Sequence, residues 1–299
     1  MTQWGSFLVV TLIILVVVLV LARQSQALIE EYETDDQSEE GQSVDGHSTD
    51  DQSGVRLQLE RPQTNGSTPD TPSVEPTTDT ELGETHIADD EFIPPAKRQP
   101  EPEQELVLTP LMMQANVAVT QGLVAVLVIA AAWYFEIPAA AFGIVAEPLS
   151  TGWPAIVGGL AFGLVLWVGN EGATRVADVI GASYDERVRE LLAPESKSGW
   201  LLLFGVVLPL IAISEELLFR AALIGVPAAG FDISPWLLAV GSSAAFALGH
   251  GAQGRVGIVV TGLLGFVLAA GYIVTGSLLL VVIAHYVINA LEFFTHEYR

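Results

Sequence analysis

From Trp4 to Ala22 the chain reads WGSFLVVTLIILVVVLVLA, without a single charge. An α-helix needs roughly 20 apolar residues to cross the ~30 Å hydrocarbon core of a bilayer. Lipid offers no hydrogen bonds, so a spanning segment has to satisfy its own backbone, which leaves helices and closed barrels. Further apolar runs cover Met113 to Phe135, Pro154 to Gly169, Trp200 to Leu223, Pro235 to His250, Val256 to Val274 and Ser277 to Phe294. The pattern predicts an all-α, polytopic integral membrane helix bundle with about seven transmembrane spans. It is a multi-pass protein of the cell membrane, and the lipid bilayer is its first partner.

The net charge of −23 is concentrated between Gln24 and Leu106, in stretches such as EEYETDDQSEEGQSVDGHSTDDQ. Few apolar residues and scattered Pro, Ser and Thr cannot offset the entropy lost on folding. Three parts follow: an N-terminal anchor at 1–23, a disordered acidic tether at 24–106 and a helical bundle at 107–299. A solvated spacer explains such a charge run more simply than a partner-binding tail. The acidity excludes nucleic acid as a partner. Lysine occurs only as Lys97 and Lys197, and excess carboxylates with so little lysine suit a salty cytoplasm, as in halophilic archaea. There is no cysteine, hence neither a disulfide framework nor thiolate chemistry.

The first run lacks a basic leader, has a long apolar core and is followed at once by Arg23, so it reads as an uncleaved anchor. Arg175, Arg187, Arg189 and Lys197 precede the fourth run. Placing that connection inside also puts Arg23, Arg255 and Arg299 inside and the N-terminus outside. Within the connection, Val176, Ile180, Tyr184 and Val188 recur at helical spacing, which predicts an interfacial amphipathic helix over Ala173 to Leu191.

The fourth run contains a contradiction. Ser214 to Arg220 reads SEELLFR, three charges in six residues of an otherwise oily helix. Each charge at the bilayer centre costs about 2.5–3.5 kcal/mol on insertion scales, so these must be paired or face a polar cavity. Glu216 and Arg220 stand at i and i+4 with the glutamate first, the favourable order for an ion pair on one face. Glu215 lies about 100° away around the helix, on the stripe of Ile211 and Phe219, with no local partner. Glu216–Arg220 therefore reads as a structural clamp and Glu215 as a carboxylate kept for another task. A polar network that only glues helices together is the simpler alternative.

Two further pairs weigh against glue alone. FALGH sets Phe246 and His250 on one face near the end of the fifth run, and HYVIN sets His285 and Asn289 on one face of the last. A base, two imidazoles and a neutral amide, drawn from three spans, suit attack of water on a carbonyl. A non-enzymatic scaffold could use the same groups to bind a partner. A proton-coupled transporter also uses intramembrane Glu and His, but the chain shows no internal repeat. Gly159-x-x-x-Gly163 and Gly262 with Gly265 permit close helix packing.

The ordered set Glu215-Glu216-x-x-x-Arg220, Phe246-x-x-x-His250 and His285-x-x-x-Asn289 resembles the three motifs of the CPBP family of intramembrane proteases. That family includes CAAX prenyl proteases and bacteriocin-processing or immunity proteins, formerly grouped as Abi. The resemblance spans roughly Met113 to Phe294, including Thr275-Gly276-Ser277 before the last run. It implies an endopeptidase acting on a membrane-associated peptide or protein, prenylated CAAX proteins among them. It implies that Glu215 and His250 hold and activate water, and that His285 and Asn289 stabilise the oxyanion. It leaves a second outcome open, a scaffold or immunity protein of the same fold. Glu215, His250 and His285 also match a zinc ligand set by residue type. There is no H-E-x-x-H helix, and the resemblance includes a metal-free, glutamate-based mechanism, which is the preferred expectation. With no cysteine, the chain carries no CAAX box of its own.

Overall fold

The computed structural model describes residues 2–44, 109–179, 181 and 187–298, and among these every regular element is helical. The described residues between 2 and 39 and between 109 and 298 belong to one compact unit. The principal helices are α1 (Trp4–Val44), α2 (Pro110–Tyr134), α3 (Trp153–Val179), the short α4 (Arg187–Leu192), α5 (Lys197–Phe231), α6 (Pro235–Gly249), α7 (Gly254–Thr275) and α8 (Leu278–His296). Six are long and apolar enough to cross a membrane, namely α1 through its Trp4–Gln24 portion, α2, α3, α5, α7 and α8. The chain is a multi-pass helical membrane protein.

Three expectations change in detail. The fifth apolar run forms α6, which has only 15 residues. At 1.5 Å per residue it is about 22 Å long, short of a full crossing. The helix stops because Gly249-His250-Gly251 leads into a tight 3-10 turn at Gly251–Gln253. Disorder was expected from Gln24 onward, yet α1 runs on to Val44. Extending an existing helix avoids the cost of nucleation, and QALIEEYE is made largely of good helix formers. The rest of the acidic stretch, 45–106, lies outside the described residues. The amphipathic helix expected over Ala173 to Leu191 is not one element: its first residues prolong α3 to Val179, and Arg187–Leu192 forms α4. Ile180 and residues 182–186 lie outside the described residues.

The helix that carries SEELLFR is irregular for a reason the sequence states. Pro209 and Pro227 lie inside α5, and a proline lacks an N–H and collides with the carbonyl four residues earlier. Directly before each, the helix widens into π turns, at Leu203–Val207 and Leu217–Gly225. The amide of Leu208 reaches back five residues to Leu203, and that of Val226 to Ala221. Wide turns of this kind are frequent at functional sites, and the second begins one residue after Glu216.

Helix α8 is positioned by close packing on α3. A Cβ on Gly159 would come within 2.7 Å of the Leu280 carbonyl, and one on Gly163 within 2.7 Å of Ala284. These two glycines therefore let the backbones meet, as small-residue spacing allows in membranes. At the start of α8, Ser277 caps the helix by accepting from the Leu280 amide at 3.1 Å and donates to the Ser150 carbonyl at 2.7 Å. Gly276 before it adopts φ +62°, the left-handed turn that ends α7. The N-terminal helix is seated as well: Phe7, Thr11 and Ile14 are buried, and the Trp4 ring packs over Gly230.

Candidate active site

Glu215 and Glu216 fall at the middle of α5, and their side chains diverge. Glu216 is 0% exposed and Arg220 1%. Arg220 Nη1 lies 3.0 Å from Glu216 Oε1, the pairing expected from their i, i+4 spacing. The guanidinium also donates to the Gly265 carbonyl at 3.2 Å and lies 4.6 Å from the centre of the Phe246 ring. Gly265 is required there, because a Cβ would stand 2.9 Å from that ring. The ion pair, the carbonyl and the ring together offset the burial of this charge, although Arg220 Nη1 and Glu216 Oε2 have no hydrogen-bond partner.

The same Glu216 oxygen also meets His285, whose Nδ1 lies 2.7 Å away. A carboxylate only accepts, so Nδ1 carries the hydrogen and Nε2 points the other way, toward Glu215 Oε2 at 3.7 Å. His250 is oriented by a different device. It sits at the C-cap of α6, its Nδ1 lies 2.8 Å from the Phe246 carbonyl, and its ring packs 4.4 Å from the Phe246 ring. A carbonyl also only accepts, so Nε2 is again the free nitrogen, 4.0 Å from Glu215 Oε2.

Glu215 Oε2 is buried and has no hydrogen-bond partner. It thus faces two imidazole nitrogens at distances too long for direct hydrogen bonds and suited to a bridging molecule. These groups line a cavity of about 310 Å³, together with Asn289. The amide of Asn289 has no hydrogen bond among the described residues. The structure therefore brings Glu215, His250, His285 and Asn289 to one cavity, and sets Glu216 and Arg220 behind His285, away from it.

Several cavity residues were not anticipated. Gln121 of α2 donates from Nε2 to Glu215 Oε1 at 3.4 Å. At the other end, Asn170 Nδ2 donates to Glu292 at 2.7 Å, and Arg189 pairs with Glu292 and Glu297. Nearby, His296 lies 2.7 Å from Glu171, which also pairs with Arg175. This network ties α3, α4 and α8 together by charge. The sequence did carry a signal for Gln121, a polar side chain inside an apolar run, since such residues face the bundle interior.

A multi-pass membrane bundle that buries a carboxylate–imidazole centre among its spans is the class that fold and site define. Within it, residues 197–291 match the family model described as type II CAAX prenyl endopeptidase, Rce1-like. That segment starts with α5, ends inside α8 and holds all seven motif residues. This matched segment is similar to the CAAX/CPBP family of intramembrane proteases. No curated protein and no solved structure matches it.

Proposed function

We propose that the chain is an intramembrane endopeptidase that hydrolyses a peptide bond of a membrane-associated substrate, with prenylated CAAX proteins the class that family points to. The observation that carries this reading is Glu215 Oε2, a buried acceptor without a partner that faces two imidazoles across a cavity. A water between Glu215 and His250 supplies the protons that these facing acceptors lack. Glu215 is the general base. It takes one proton as the water oxygen bonds to the scissile carbonyl carbon.

The oxyanion formed in that step is met by Asn289, through its amide N–H, and by His285. His285 already commits its Nδ1 hydrogen to Glu216, so it needs a second proton on Nε2 to donate. When the tetrahedral intermediate collapses, the C–N bond breaks and Glu215 returns its proton to the leaving amine. Water has then added across the peptide bond, and every group is restored. Glu216 and Arg220 hold His285 and touch no substrate.

Zinc is the metal that one carboxylate and two imidazoles would suit, with Glu215, His250 and His285 as its ligands, where it would act as a Lewis acid. Tetrahedral zinc with bonds of 2.0–2.1 Å holds its donors about 3.4 Å apart. Here Glu215 Oε2 stands 3.7 and 4.0 Å from the two imidazoles. Among the described residues, the three donors that do lie within 4.8 Å of one another belong to Glu171, Glu292 and His296, where Arg175 and Arg189 already supply positive charge. These spacings support the metal-free reading, and the mechanism above uses no metal. The N-terminal helix serves as the anchor of the 107–299 catalytic bundle, with the acidic 24–106 stretch as the link between them.

The test is a panel of membrane-tethered and prenylated peptides offered to the purified protein in detergent or bilayer. Cleavage of at least one is expected, with loss of every product in Glu215→Ala. Products that persist in that variant would mean a contaminating protease or a different base.

A further inference from the structure

Glu215 has two oxygens with different surroundings. Oε2 is buried and unpartnered between the imidazoles, whereas Oε1 meets Gln121 Nε2 at 3.4 Å. A carboxylate turns about its last carbon–carbon bond, and both oxygens are chemically equal, so something has to keep one of them aimed at the cavity. Gln121 lies outside residues 197–291, on α2, and belongs to none of the three motifs.

The amide is itself held in one orientation. Ser214 Oγ stands within hydrogen-bond distance of Gln121 Oε1 and also 3.1 Å from the Ile211 carbonyl. An ionised Glu215 only accepts, so the NH2 end of Gln121 has to face it and the carbonyl end has to face Ser214. The serine hydrogen then completes the chain from Ser214 through Gln121 to Glu215. The rotation of α2 is fixed two turns earlier on the same face. There Gln114 is fully buried and donates to the Leu192 carbonyl at 2.9 Å.

We propose that Gln121 is a positioning residue: by donating to Oε1 it fixes the carboxylate plane of Glu215 and reserves Oε2 for the water that attacks the substrate. This rests on the protease reading for its catalytic consequence, but the hydrogen bond can be tested without it. Gln121→Met keeps the length and volume of the side chain and removes both polar atoms. Gln121→Glu keeps the shape and the acceptor for Ser214 while removing the donor.

In cleavage assays on the full chain, both variants should lower kcat about tenfold to a hundredfold, the scale of a misaimed catalytic group, with KM within about twofold of wild type. The thermal unfolding midpoint of Gln121→Met should stay close to the parent's, whereas Gln121→Glu also adds a second carboxylate beside Glu215. A role confined to packing would spare Gln121→Met, and one confined to Ser214 would be reproduced by Ser214→Ala. The activity-independent measurement is infrared: the wild type minus Glu215→Gln difference isolates the Glu215 carboxyl band, and Gln121→Met should shift it. An unshifted band overturns the proposal, as does wild-type kcat in Gln121→Met. A shifted band in a protein that cleaves no peptide upholds the Gln121–Glu215 contact and sinks the protease reading instead.

Discussion

Glu215 and Glu216 are neighbours in sequence and opposites in surroundings. Glu216 is sealed, with Arg220 at 3.0 Å and His285 at 2.7 Å on one oxygen. The side chain of Glu215 is 13% exposed, and its contacts are Gln121 at 3.4 Å and two imidazoles at 3.7 and 4.0 Å. One residue of helix, a turn of about 100°, separates a carboxylate with one oxygen held by Arg220 and His285 from one left with room for another molecule. Tight, complementary contacts stabilise a buried charge, whereas gaps of this size are tolerated only where something else fills them. The two environments share His285, which joins them through its two nitrogens.

The sharpest way to break this comparison is to neutralise each glutamate in turn. Glu215→Gln should lower kcat by about 10²–10⁴-fold, the usual worth of a general base, and leave the unfolding midpoint nearly unchanged. Glu216→Gln should do the reverse at the level of the fold. It strands the Arg220 charge in a buried site, for which the expected loss is about 3–5 kcal/mol. Cleavage rates and thermal unfolding of the two purified variants decide the matter. Equal destabilisation by both would mean that Glu215 is also a structural ion and that the division is false.

What the sequence disclosed and what it withheld follow the same division. The Glu216–Arg220 contact depends only on helix rise and pitch, so two letters four apart were enough. The bond from His285 to Glu216 joins residues 69 apart, and the one from Gln121 to Glu215 joins residues 94 apart. Such contacts depend on how helices pack, and local spacing carries no information about that. Membrane spans were readable because hydrophobicity over 18 or more residues is a strong signal. The length of α6 was not, because apolar residues continue to Leu248 and only the Gly249-His250-Gly251 turn shows where the helix ends. The continuation of α1 into acidic sequence was missed for a related reason: composition averages hide a local helix-forming stretch such as QALIEEYE.

A smaller effect tests the far wall of the cavity. Asn289 stands one helical turn from His285 on α8 and lines the same space. If its amide donates to the oxyanion, the interaction exists only once the carbonyl oxygen has become charged. Asn289→Ala should then lower kcat by about 10²–10³-fold with KM little altered. Stability should hardly change, since the side chain is half-buried and gives up no hydrogen bond within the protein. A rise in KM at constant kcat would instead make Asn289 a group that binds substrate before the reaction.

The smallest expected effect separates the two ways of filling the gap beside Glu215. If water alone occupies it, a strong chelator should leave turnover within about twofold of the untreated protein, and metal analysis should find far less than one zinc per chain. The spacing argues for this outcome, because both imidazole nitrogens stand further from Glu215 Oε2 than zinc donors stand from one another. For zinc to bind, the two histidines would have to close on Glu215 by several tenths of an ångström, loosening the His285–Glu216 or His250–Phe246 contact. Reversible loss of activity on chelation, with recovery on adding about one equivalent of zinc, would show that this closure happens. The roles of Glu215, His250 and His285 would then be those of ligands, and Glu216 would become the carboxylate that orients a metal-bound histidine.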